Sequence, residues 1–135
     1  AGYAIYNDGS VRDWQRHSHQ FTPGKNFVGT GAFGPWMVSS DALSLPPEGL
    51  SLVTRVNGVE KQRTDTSRMI FDVPYLISYI STFTPLEPGD VIVTGTCKGF
   101  GATRTPQEFL TPGDLVEVEI DGLGLLANRV AVEAS

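Results

Sequence analysis

Fifteen glycines and nine prolines divide this chain into short apolar runs, and that punctuation constrains its fold more than any other feature. Neither residue suits the interior of a long helix, whereas short strands joined by tight turns use both. Tyr3 to Tyr6 reads as a strand ending at Asn7-Asp8, and Arg12 to His17 as one helical turn or loop. Residues 23–34 read as a glycine-rich loop, after which Pro35-Trp36-Met37-Val38 resumes extended structure. Leu50 to Val56 alternates up to Asn57-Gly58, a dipeptide whose easy positive φ suits a two-residue hairpin, and Glu60 to Thr66 is the returning strand.

One amphipathic helix stands out. Asp72 can cap it, Pro74 is tolerated in its first turn, and Val73, Leu76, Ile77 and Ile80 recur at helical spacing, which predicts one face packed on a sheet. Two copies of a Pro-Gly turn follow: Glu87-Pro88-Gly89-Asp90 before Val91 to Thr94, and Thr111-Pro112-Gly113-Asp114 before Leu115 to Ile120. Each predicts a strand. Asp121-Gly122-Leu123-Gly124, running into Leu125 to Val132, predicts a final hairpin. Mixed strands with one or two helices give an α+β class with a rolled or barrel-like sheet, and residues 1–135 show no linker that would divide one domain.

No apolar run approaches the ~20 residues of a membrane span. The single Cys97 has no partner for an intrachain disulfide and no zinc-finger spacing, which fits a reducing cytoplasm. A net charge of −5 with scattered Lys and Arg excludes a nucleic-acid surface, yet leaves room for a small acidic substrate met by a few local cations and a metal. The chain opens directly on the strand-like run from Ala1, which suggests an upstream segment.

Three patches carry possible chemistry. Tyr6 to Gln15 gathers Asp8, Arg12, Asp13 and Gln15 after a strand without any periodicity. A carboxylate there suits a hard cation, and equally suits an Asx-type turn. Pro23 to Trp36 is a glycine-rich loop holding Lys25, able to admit an anion to its backbone N–H groups or merely to carry a solvated lysine. Its spacing is not that of a phosphate-binding loop. Val93 to Gly101 follows an expected strand with hydroxyls and glycines, which is a ligand-binding strand end or a plain turn.

Taken in order, seven motifs resemble the C-terminal catalytic domain of the fumarylacetoacetate hydrolase family. They are Asn7 to Gln15, Gly24 to Phe27, Gly34 to Trp36, Asn57-Gly58, Met69 to Phe71, Pro88 to Asp90 and Thr94 to Thr96. The resemblance covers essentially the whole chain and implies a catalytic domain lacking its N-terminal part. It implies a divalent-metal enzyme cleaving a C–C bond in a small acylpyruvate-like or fumarylacetoacetate-like oxo-acid through a metal-held enolate. Isomerase, decarboxylase and lyase activities on related oxo-dicarboxylates run on the same kind of site. By similarity Asp8 ligates Mg2+, Mn2+ or Ca2+, Lys25 stabilises the charge developing on the substrate, and Arg12, Gln15 and Thr96 orient substrate oxygens. Relatives are commonly homodimers.

Departures from the pattern sharpen the expectations. The family's Glu-x-Glu metal pair and its water-activating His and Glu lie upstream of the motif that opens this chain. A non-catalytic fragment needing a partner chain is therefore the competing reading. Glu117 and Glu119 have Glu-x-Glu spacing on one strand face, but stand where the family has an ordinary strand. His17 and His19 read as loop residues near the cleft entrance or as a general base. Cys97 reads as a small packed residue, and Lys98 as an added cation that predicts a longer or more acidic substrate.

Overall fold

The computed structural model describes residues 1–43 and 49–132; residues 44–48 and 133–135 of the expected domain lie outside the described residues. The chain is α+β, with two sheets and few helices. Strands β1 (Gly2–Asp8) and β2 (Gly31–Ser39) form an antiparallel pair. Strands β3 (Ser51–Val56), β4 (Val59–Asp65), β5 (Leu115–Ile120) and β6 (Gly124–Arg129) form an antiparallel sheet in the order β4-β3-β5-β6. The pair rolls onto the β5 and β6 end of that sheet without closing a barrel.

The core sits between them, where inward positions of strands alternate with outward ones. Ile5 of β1, 1% exposed, meets Val118, Leu123 and Leu126, with Tyr3, Val38 and Ile120 packed around them. Asn57 (φ 51°) and Gly58 (φ 77°) make the β3–β4 hairpin turn as expected. The Asn57 side chain also holds the start of β5, donating to Asp114 at 2.8 Å and accepting from the Leu115 N–H at 2.9 Å.

Three expectations are corrected. The glycine-rich segment is loop only as far as Thr30, because Gly31 to Gly34 pair with Ile5 to Asp8 in β2. Val91 to Thr94 form no strand: the run follows its turn as expected but has no neighbour to pair with among the described residues, and Val91 and Val93 stay exposed. The helix α2 (Val73–Ile80) is capped as expected, the Asp72 carboxylate accepting from the Tyr75 N–H at 2.8 Å, but none of its residues is buried against a sheet. Val73, Leu76 and Ile80 are half-buried, and an exposed aromatic ladder runs along the helix and past both its ends. Phe71, Tyr75 and Tyr79 stack at centroid separations of 4.7 and 6.2 Å, and Phe83 meets Tyr79 edge-on at 5.8 Å.

Candidate active site

The candidate site grows from the end of β1. Asp8 closes that strand opposite Gly31 of β2, and residues 9–30 leave and return between these two positions. Within that excursion lie the short helix α1 (Arg12–Gln15) and a 3₁₀ turn over Thr22–Gly24. The Val11 N–H donates to the Gly24 carbonyl at 2.9 Å, tying the two turns together. Gly24 is buried, and a Cβ there would stand 2.8 Å from the Cα, Cβ and N of Gln15. Real Cβ atoms are not found that close, so this glycine serves packing of the 3₁₀ turn on α1 rather than approach of an anion to the backbone.

That packing sets Lys25, the residue after the turn, against Asp8. The lysine Nζ lies 2.6 Å from Oδ2 of Asp8 and 3.4 Å from its carbonyl oxygen, and both side chains are about 28% exposed. The carboxylate thus reaches a lysine seventeen positions along the chain instead of bonding to its own turn, which the Gly9 N–H closes on the Asn7 carbonyl. An ammonium has three donors, so two held by Asp8 leave one for another oxygen.

Arg12 and Gln15 are brought together beside them. Arg12 Nη1 donates to Gln15 Oε1 at 2.8 Å, and Gln15, at 8% exposure, is the buried polar side chain among the described residues. With its oxygen occupied, the amide presents its NH2 donors. Trp14 flanks the group, its ring 4.6 Å from His17 and 5.4 Å from Phe27. His17 is therefore an aromatic neighbour of α1, and His19 is exposed.

Thr96 lies in a separate loop. Among the described residues no hydrogen bond or ion pair joins it to the other four, and its loop is anchored to β4 by Gln62. The Gln62 Nε2 donates to the carbonyls of Cys97 at 3.0 Å and Lys98 at 3.4 Å. Glu119 is engaged by Arg55 at 2.7 Å across the β3–β5 register. Among the described residues no three of His, Cys, Asp and Glu gather closely enough to hold a metal. Asp8 supplies one hard oxygen donor of the kind Mg2+, Mn2+ and Ca2+ accept, and further donors would have to come from outside this group. Two features escaped the sequence reading. Gly24 as a packing residue carries no signal beyond its buried place between two turns. Gln62 was legible only as one residue of the returning strand.

Comparison with known proteins identifies the chain's relatives. Residues 1–131 match the model of the fumarylacetoacetate (FAA) hydrolase C-terminal family. A mitochondrial oxaloacetate tautomerase of Bos taurus is 41% identical over 132 residues, spanning 96% of this chain and 42% of the tautomerase. A fumarylacetoacetate hydrolase from the psychrophile Exiguobacterium antarcticum superposes with a TM-score of 0.92 at 40% identity, covering 98% of this chain and 47% of that one. A fumarylpyruvate hydrolase from Pseudomonas aeruginosa, solved with Mn2+ and pyruvate, gives a TM-score of 0.84 at 31% identity over 98% of this chain and 55% of its own. The chain thus spans about half the length, or less, of the proteins it matches. It belongs to the fumarylacetoacetate hydrolase family.

Proposed function

We propose that this chain supplies the enolate-stabilising part of an enzyme acting on a small, acidic 2-oxo acid, with Asp8 as one ligand of a divalent cation. The observation that carries the reading is the Asp8–Lys25 pair, 2.6 Å apart at the end of β1. A bound Mg2+, Mn2+ or Ca2+ would polarise neighbouring oxo and carboxylate oxygens as a Lewis acid. Lys25 is held in place by Asp8, so its remaining donor meets developing negative charge without reorganising, which is the costly part of charge stabilisation in water. The Gln15 NH2 adds a fixed neutral donor, and Arg12 fixes the Gln15 amide. Thr96 joins the site only if its loop and α1 face a common substrate.

An enolate serves two reactions. In tautomerisation the enol O–H proton is lost and a proton is returned to the neighbouring carbon, with no change in composition. In C–C hydrolysis the enolate is the leaving carbanion, protonated after water has attacked the adjoining carbonyl. Similarity to the oxaloacetate tautomerase favours the first, and similarity to the two hydrolases keeps the second. The full-length protein should be tested with Mg2+ or Mn2+ on enol-oxaloacetate and on an acylpyruvate, following loss of enol absorbance and release of pyruvate. Loss of absorbance without a cleavage product supports the tautomerase, and cleavage supports the hydrolase. Lys25→Ala and Asp8→Ala should each abolish most turnover, Lys25→Ala by roughly 10²- to 10³-fold. Full activity in either variant, or no turnover of either substrate with any metal, would overturn the reading.

The same proposal includes a homodimer in a reducing, cytoplasm-like compartment. The exposed aromatic ladder beside α2 offers an apolar face for such a contact. No helix of the described residues is long and apolar enough to cross a membrane. Sedimentation of the full-length protein should give twice the monomer mass, and Tyr79→Ser should lower it. A monomer at micromolar concentration would remove the dimer and leave the ladder to the rest of the longer chain.

A further inference from the structure

A second concentration of charge lies along β4, opposite in sign to the chain as a whole. Lys61, Gln62, Arg63, Lys98, Gly99, Thr103 and Arg104 line an open cleft of about 460 Å³, within the size range of small-molecule sites. Two irregularities, joined by Arg104, build it. The β3–β4 register slips between Thr54 and Arg55, where Thr54 faces Gln62 and Arg55 faces Glu60, so Lys61 is the extra residue of a bulge. Bulges re-aim side chains and release backbone groups from the ladder. Here the released Lys61 carbonyl accepts from Nη2 of Arg104, whose Nε donates to the Gly99 carbonyl at 3.0 Å. Gly99, at φ 97°, brings its backbone so close that a Cβ would stand 3.1 Å from the Lys61 carbonyl oxygen.

The charge is only partly compensated. Glu60 chelates Arg63 at 3.0 and 2.5 Å, while Glu108 holds Lys61 at 2.6 Å and lies 3.7 Å from Arg104. Against four cations stand two carboxylates in direct contact, with Asp121 and Glu119 acting on Arg63 from farther off. Lys98 has no hydrogen-bond or ion-pair partner among the described residues, Lys61 keeps two of its three donors, and Arg104 keeps its Nη1. The donors are preorganised, because Lys61 and Arg104 are only 24% and 25% exposed and pinned by protein oxygens.

We propose that this cleft is a carboxylate-binding site for a small di- or tricarboxylate, distinct from the Asp8–Lys25 pair. The carboxylate belongs either to the far end of the substrate or to a separate acid, and the chemistry of recognition is the same. Lysines on an edge strand also serve simply to discourage pairing with other strands, and that role predicts no saturable binding.

The test titrates succinate, citrate, acetate and chloride into the full-length protein at matched ionic strength, reading heat of binding and Tm. Succinate or citrate should bind saturably, acetate weakly and chloride not at all. Lys98→Glu should weaken succinate binding at least tenfold, Lys98→Arg should restore it, and Asp8→Ala should leave it unchanged. In turnover assays, a KM raised by Lys98→Glu for an oxo-dicarboxylate but not an oxo-monocarboxylate, with kcat unchanged, places the substrate's own carboxylate in the cleft. Lost binding with unaltered KM places a separate acid there. Either result supports the site. Tm shifts that follow ionic strength alone, or succinate binding that Lys98→Glu leaves intact or Asp8→Ala removes, would overturn it. The binding readout needs no activity, so its failure is separable from failure of the proposed reaction.

Discussion

Residues 87–90 and 111–114 make nearly the same turn and lead to different outcomes. Each spells Pro-Gly-Asp at its end, and the two glycines sit at φ 105° and 97°. In each the closing aspartate accepts from the first residue's N–H at 2.8 Å, Asp90 from Glu87 and Asp114 from Thr111. Beyond the second turn, β5 is gripped by β3 on one side and β6 on the other, with Val116 and Val118 buried. Beyond the first, Val91 and Val93 are 57% and 45% exposed and form no strand. The turn is a local property, written in four residues. The strand is not, because its backbone groups need a neighbour to bond with.

Core truncation should separate the two regions most. Leu126→Ala, beside β5, is expected to cost about 2–5 kcal/mol in denaturant unfolding, while Val93→Ala should stay within about 0.5 kcal/mol. If Val93→Ala in the full-length protein costs as much as Leu126→Ala, then residues 91–94 gain a strand partner there and the contrast belongs to this chain alone. Gly89→Ala and Gly113→Ala probe what the two turns share. Each forces an L-residue to positive φ and should lose about 1–2 kcal/mol, and a large difference between them would show that the turns are not equivalent.

The smallest effect is one of pH. The Thr111 N–H, and after it the Asn57 side chain, hold the Asp114 carboxyl below its ordinary value. A carboxylate so depressed contributes stability fully above the ordinary Asp pKa of about 3.9, and loses it as pH falls through the lower folded value. The difference in Tm between the wild type and Asp114→Ala should therefore be constant near neutrality and shrink below about pH 4. A gap that persists at the acid limit would assign the effect to packing instead.

The same division between local and long-range governs what the sequence reveals. The Asn57-Gly58 turn, the Asp72 cap and the α+β class are legible because each rests on adjacent residues or on periodicity. The packing of α2 on a sheet was misread because amphipathic spacing says that a face needs cover, not what covers it. In the candidate site, Asp8 and Lys25 were each ambiguous by themselves, and only the ordered resemblance joined them before the fold did. The bulge at Lys61 left no mark, since register is a relation between two strands and neither sequence contains it.

The placement of residues 9–30 bears on how such proteins diversify. Their feet, Asp8 and Gly31, are cross-strand neighbours, so the excursion begins and ends at one place on the β1–β2 pair. Arg12, Gln15 and Lys25 ride on it, while Asp8 stays on the scaffold. Lengthening a closed loop costs little, about 0.6 kcal/mol per doubling. The segment is an exchangeable cassette: a graft between relatives at these two feet would transplant three of the candidate site residues without asking any strand to change its partner.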